Sequence, residues 1–146
     1  AKELDLDPTR LGVLGFSAGG QLAAAYSNQA ETKAKFVGLG YPVIQPTIDQ
    51  RMGVTTENVS QLVTPQTPPT FIWGSIKDEL TPYLEHVAVY AQALAENGVP
   101  FELHEFSTGG HGIALANKYT GIVNRDRVDA HMAKWFPLFL DWFKQL

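Results

Sequence analysis

Short apolar runs alternate along this chain with longer stretches of helical period. Arg10 to Phe16 (RLGVLGF) reads as a short buried strand reached through the Asp7-Pro8 turn. From Ala18 to about Asn28, the small and apolar residues Leu22, Ala23, Ala25 and Tyr26 suit a helix packed closely on a sheet. Lys35 to Tyr41 (KFVGLGY) predicts a second buried strand, ended by Pro42, and Thr70 to Gly74 (TFIWG) a third. Between them, Val43 to Pro69 is rich in Thr, Gln and Pro and reads as irregular, with one helical turn near Glu57 to Leu62. Thr81 and Pro82 are expected to cap a helix that runs to Asn97-Gly98, with Leu84, Val87, Ala91 and Leu94 facing inward. Phe101 to Phe106 is the fourth strand. From Arg125 onward, Val128, Met132, Trp135, Phe139 and Trp142 mark an amphipathic helix that Pro137 should kink or split. Strands separated by helices imply a parallel sheet covered on both faces, an α/β fold.

Composition narrows what such a fold can do. At 146 residues the chain makes one ordinary domain, and 45% hydrophobic against 18% charged residues is globular composition. The net charge of −4 leaves no basic footprint for nucleic acid or an anionic membrane. No cysteine is present, which excludes a disulfide framework, thiolate metal ligation and a cysteine nucleophile. No apolar run approaches the roughly 20 residues that span a bilayer. No signal segment opens the chain, so a cytoplasmic location is the expectation, and the Asn58-Val59-Ser60 sequon reads as chance.

The segment Gly15-Phe16-Ser17-Ala18-Gly19-Gly20 carries the chemistry. It fits G-x-S-x-G and lies between a buried strand and a small-residue helix, where a sharp turn would lift the Ser17 hydroxyl above the sheet edge. Gly15 and Gly19 supply the side-chain-free neighbours such a turn needs. The N–H of Ala18, opening the helix, is placed for a developing oxyanion. A phosphate-binding turn is the competing reading, but no Gly-Lys-Ser/Thr follows and the G-x-G-x-x-G spacing fails.

A serine hydroxyl needs a base, and the base an orienting carboxylate. His111 lies in Thr108-Gly109-Gly110-His111-Gly112, a glycine-rich loop directly after the fourth strand, at the sheet edge where sites in open α/β folds lie. His86 reads as solvated, His104 as structural and His131 as packed or half-exposed. Asp78, just past TFIWGSIK, is the expected acid, with Glu79 its near rival; Asp49, Asp126 and Asp129 read as solvated or capping charges. The order Ser17, Asp78, His111 is that of the α/β-hydrolase triad.

With these residues in place the sequence resembles the C-terminal half of an α/β-hydrolase of the carboxylesterase and acetyl-xylan-esterase-like branch. The resemblance rests on DPTRLGVLGFSAGGQLAA, TPQTPPTFIWGSIKDELTP and YAQALAENGVPFELHEFSTGGHG, and it covers nearly the whole chain. It implies Ser17 as nucleophile, Asp78 as the acid four residues before Pro82, and His111 as base. It also implies carboxylic ester substrates, often acetyl groups on carbohydrates, with neither metal nor organic cofactor. Residues 1–146 would form a single, partial catalytic domain, and 43–69 a shortened cap-like segment. The family's His-Gly-Gly oxyanion segment and the strands before the serine are absent from these residues. The strand at 10–16 would then lack its inner neighbour, an edge open to self-association or to an N-terminal half. The alternatives are a serine peptidase of prolyl-oligopeptidase type, and an incomplete hydrolase fragment that serves as a binding or assembly module.

Overall fold

A computed structural model describes residues 7–48, 53, 55–120 and 128–146. Its sheet has four parallel strands in the order β1 (Val13–Phe16), β2 (Val37–Gly40), β3 (Thr70–Ser75), β4 (Phe101–Phe106). Gly15 pairs with Leu39, Leu39 with Ile72, and Ile72 with Leu103, so the carboxyl ends of the strands form one edge. Alternation along the strands divides the core. Val37, Leu39 and Ile72 face helices α1 (Ala18–Gln29) and α2 (Val87–Glu96), packing with Ala23, Ala24, Val87, Tyr90 and Leu94. Phe71, Trp73 and Phe106 face α3 (Trp135–Phe143) across Trp135, Phe139 and Trp142. The α/β class with both faces covered is what the sequence predicts.

Several local expectations change. β1 was expected to be a buried strand, yet only Gly15 within it is buried, and Leu11 and Leu14 are exposed. Among the described residues it pairs with β2 alone. On α1, Leu22 (72% exposed) and Tyr26 point away from the sheet, one turn apart on the same outer face; the alanines make the close contact instead. α2 starts at Val87 rather than at Thr81-Pro82. Glu85 N–H and His86 N–H both bond the Pro82 carbonyl, closing a turn that turns Leu84 outward at 76% exposure. Among its described residues the irregular segment holds two short 3₁₀ turns, Pro46–Ile48, which the sequence does not predict, and Val59–Leu62, which the Asn58 side chain caps through Ser60 N–H.

The terminal helix is shorter than its periodicity suggests. A 3₁₀ turn, Met132–Lys134, precedes α3, and Val128 lies outside both. Pro137 falls in the first turn of α3, where a backbone N–H would have no intrahelical partner, so the missing donor costs nothing. Asp49, Arg125 and Asp126 lie outside the described residues.

Candidate active site

β1 ends at Phe16 and α1 begins at Ala18, so Ser17 alone turns the chain. It does so at φ 55° and ψ −126°, a conformation that costs a non-glycine residue on the order of 1–3 kcal/mol. The turn is clamped from three sides. Ser17 N–H bonds the Gly40 carbonyl at 3.1 Å, and the Ser17 carbonyl accepts Gly20 N–H at 2.9 Å and Val43 N–H at 3.0 Å. Serine is a favoured helix N-cap, but this hydroxyl makes no cap hydrogen bond. Its Oγ instead lies 2.7 Å from His111 Nε2.

The glycines around the turn divide differently from the sequence expectation. A Cβ on Gly15 would run into the Gly19 carbonyl, so that close approach demands glycine. At Gly19 itself a Cβ would meet nothing within 4 Å among the described residues. The second tight position is Gly20, where a Cβ would lie 2.7 Å from Pro42 Cβ. The Gly-Gly doublet was the available signal for it.

Asp78 sits in the turn after β3, its side chain 1% exposed. Oδ1 accepts Leu80 N–H and Thr81 N–H, each at 2.9 Å; Oδ2 accepts the Thr81 hydroxyl at 2.8 Å and faces His111 Nδ1 at 2.9 Å. Burial pushes the carboxyl upward, but the hydrogen bonds from His111 and Thr81 and the His111 charge outweigh it and hold Asp78 below the ordinary aspartate value. Glu79, the rival from sequence, is exposed.

His111 reaches this pair from the loop after β4, itself fixed on several sides. Ser75 Oγ donates to the Gly109 carbonyl at 2.9 Å, Trp135 Nε1 donates to the Ala114 carbonyl at 2.8 Å, and Ala114 N–H bonds the Tyr41 hydroxyl at 3.1 Å. Gly109 (φ 76°) meets a steric need as well, because a Cβ there would strike Met132. The Tyr41 ring packs edge-on against the imidazole, 5.0 Å between centroids. An ionised Asp78 is acceptor-only, so the proton sits on Nδ1 and leaves Nε2 to accept the Ser17 proton. Ser17, His111 and Asp78 thus form one continuous hydrogen-bonded line at the carboxyl edge of the sheet.

The other candidates lie elsewhere. His104 bonds Glu102 Oε1 at 2.7 Å within β4, and His131 is exposed beside the Phe106 ring. Asp129 accepts His131 N–H and Met132 N–H, a capping charge. His86 overturns its reading as solvated: it is 0% exposed, and Nδ1 accepts the N–H groups of Ile44 and Gln45 at 3.0 and 3.2 Å. Partners lying about 40 residues away in sequence leave no local signal. Among the described residues no group of three or more His, Cys, Asp or Glu comes together as metal ligands. No helix among them is long and apolar enough to cross a membrane.

The sequence model of one hydrolase family, the dienelactone hydrolases, matches residues 1–146. The chain belongs to the dienelactone hydrolase family. This family member superposes on a carboxylesterase from Lactobacillus plantarum with a TM-score of 0.88 and 30% identity, over 99% of this chain and 62% of that one. It superposes on an acetyl ester-xyloside bifunctional hydrolase from Caldicellulosiruptor lactoaceticus with a TM-score of 0.82 and 30% identity, over 99% and 59%. In sequence it is 27% identical to an acetylxylan esterase of Xylanibacter ruminicola, over 79% of this chain and 28% of that protein. The chain therefore spans about six-tenths of the length of the solved relatives and under a third of the curated one. Among the described residues this family member has four parallel strands of an α/β-hydrolase sheet, with Ser17 directly after the first of them.

Proposed function

We propose that this chain carries the acyl-transfer site of a serine carboxylic ester hydrolase. The carrying observation is the relay geometry, with Ser17 Oγ 2.7 Å from His111 Nε2 and His111 Nδ1 2.9 Å from Asp78 Oδ2. In the first step His111 Nε2 takes the hydroxyl proton while Ser17 Oγ attacks the ester carbonyl, and Asp78 stabilises the imidazolium through Nδ1–H. His111 returns the proton to the departing alcohol. Water, deprotonated by the same nitrogen, then attacks the acyl-serine, and the acid leaves with Ser17 restored. Ala18 is the first residue of α1, so its N–H has no intrahelical acceptor and is available to the oxyanion. Small acyl groups on carbohydrate alcohols are the proposed substrates, supported by the esterase and xyloside names of the relatives.

A fluorophosphonate probe should label Ser17 alone, and Ser17→Ala should lose labelling together with hydrolysis of p-nitrophenyl acetate and acetylated xylo-oligosaccharides. Removing a triad serine lowers kcat by ~10⁶. Undiminished turnover in Ser17→Ala would end this reading.

A further inference from the structure

One buried hydroxyl lies against both members of the Asp78–His111 pair. Thr81 Oγ1 is 2.8 Å from Asp78 Oδ2, 3.2 Å from His111 Nδ1 and 3.4 Å from the Tyr41 carbonyl, and the residue is 1% exposed. From these contacts we infer that Thr81 is a positioning residue whose hydroxyl donates to Asp78 Oδ2, keeping that carboxylate ionised and aimed at His111 Nδ1. The inference rests on the acyl-transfer reading of Ser17.

The donor inventory fixes the direction of this bond. A carboxylate offers about four acceptor sites. Leu80 N–H and Thr81 N–H occupy Oδ1, so Oδ2 is left for the Thr81 hydroxyl and His111. Nδ1 already carries a proton directed at Asp78, and the Tyr41 carbonyl is the more distant acceptor, so the hydroxyl proton goes to Oδ2. Valine would fill the same volume without desolvating a hydroxyl, a cost that Thr81 recovers only through this bond. The backbone contact from Thr81 N–H does not depend on the side chain. The hydroxyl can therefore be removed on its own.

The titratable surroundings of Asp78 come from three elements. His111 donates from the loop after β4, His86 acts electrostatically from the start of α2, and the Tyr41 ring, just after β2, packs on the His111 imidazole. Lys77 and Glu79 are the adjacent charges on its own turn, both exposed. The Thr81 hydroxyl is one of the groups that lower the Asp78 proton affinity, so its loss raises the pH at which Asp78 protonates.

Carbon-detected NMR titration of the Asp78 carboxyl tests this directly in the protein. Thr81→Val should move the midpoint upward, and Thr81→Ser, which restores the hydroxyl, should return it to the wild-type position. A Thr81→Val midpoint equal to wild type, or a Thr81→Ser midpoint displaced as far as that of valine, overturns the proposal. Should the valine variant fail to fold, the wild-type protein still decides: the Thr81 hydroxyl proton should exchange slowly and its resonance should follow the Asp78 titration. Rapid exchange, or indifference to that titration, overturns it too. Fluorophosphonate labelling of Ser17 reports separately on the reading beneath it. An unlabelled Ser17 defeats acyl transfer, whereas an Asp78 titration indifferent to Thr81 defeats only the positioning role.

Discussion

His86 Nδ1 accepts the backbone N–H of Ile44 at 3.0 Å, joining the start of α2 to the loop after β2. Gln45 N–H shares the same nitrogen, and Nε2 lies 3.1 Å from Thr47 Oγ1. Two donors on Nδ1 require the neutral ring with its proton on Nε2. Burial also lowers the His86 pKa from its ordinary value. The unfolded chain then binds the extra proton first, so stability should fall as pH drops below about 6.5 toward the folded pKa. His86→Asn keeps an acceptor and removes the titration. Thermal melts at pH 7.5 and 5.5 should show an acid-side loss of Tm in wild type that shrinks in the variant; equal losses would refute this role. The Asp78 contribution, also lost on the acid side, starts to fall only as pH drops toward the ordinary aspartate value of about 3.8 and goes on falling down to the lower folded pKa.

Asp78 is buried and bonded while its neighbour Glu79 is exposed, which separates two carboxylates one residue apart. Asp78→Asn should lower ester hydrolysis by ~10⁴, because the imidazole is then held in the wrong tautomer. Glu79→Gln should leave the rate within about twofold. Steady-state kinetics on p-nitrophenyl acetate checks both, and the reverse pattern would mean that the relay runs through the wrong acid.

The parts of this site legible in sequence are those whose spacing is local. The strand-serine-helix turn at Ser17, the glycine loop at His111 and the post-strand Asp78 each lie within a few residues of the features that position them, and the structure brings the three side chains into one line. Thr81, by contrast, reads as a helix cap, because Thr-Pro is a start signal and the following apolar spacing is helical. The chain instead spends one more turn on Asp78 before α2 begins, which moves Leu84 outward and buries His86. Periodicity also cannot tell which side of α1 faces the sheet when alanines occupy one side and Leu22 and Tyr26 the other. Close backbone approach favoured the alanines.

The two elbow glycines should respond oppositely to a methyl group. Gly15→Ala places Cβ against the Gly19 carbonyl, a backbone clash expected to cost about 1–3 kcal/mol. Gly19→Ala meets nothing within 4 Å among the described residues and should be neutral or stabilising by up to about 1 kcal/mol. Urea denaturation of both variants measures the difference, and equal midpoints would contradict this steric account.

β1 presents one unpaired edge among the described residues, with exposed Leu14 within the strand and exposed Leu11 just before it. Such an edge is a template for another strand. Sedimentation of the chain should show concentration-dependent association that Leu11→Lys reduces. A wild-type monomer across the micromolar range would remove the expectation.

Trp73 on β3 and Trp135 at the start of α3 lie nearly parallel, with centroids 5.1 Å apart and planes 20° from each other. Two indoles held in one fixed, chiral relation couple their electronic transitions, so the protein carries its own optical gauge of how α3 seats on the sheet. Near-ultraviolet circular dichroism should record that coupling while the helix is docked and lose it when packing loosens, even where far-ultraviolet helicity persists. Trp135 Nε1 also donates to the carbonyl of Ala114, so the same signal reports on the loop that delivers His111.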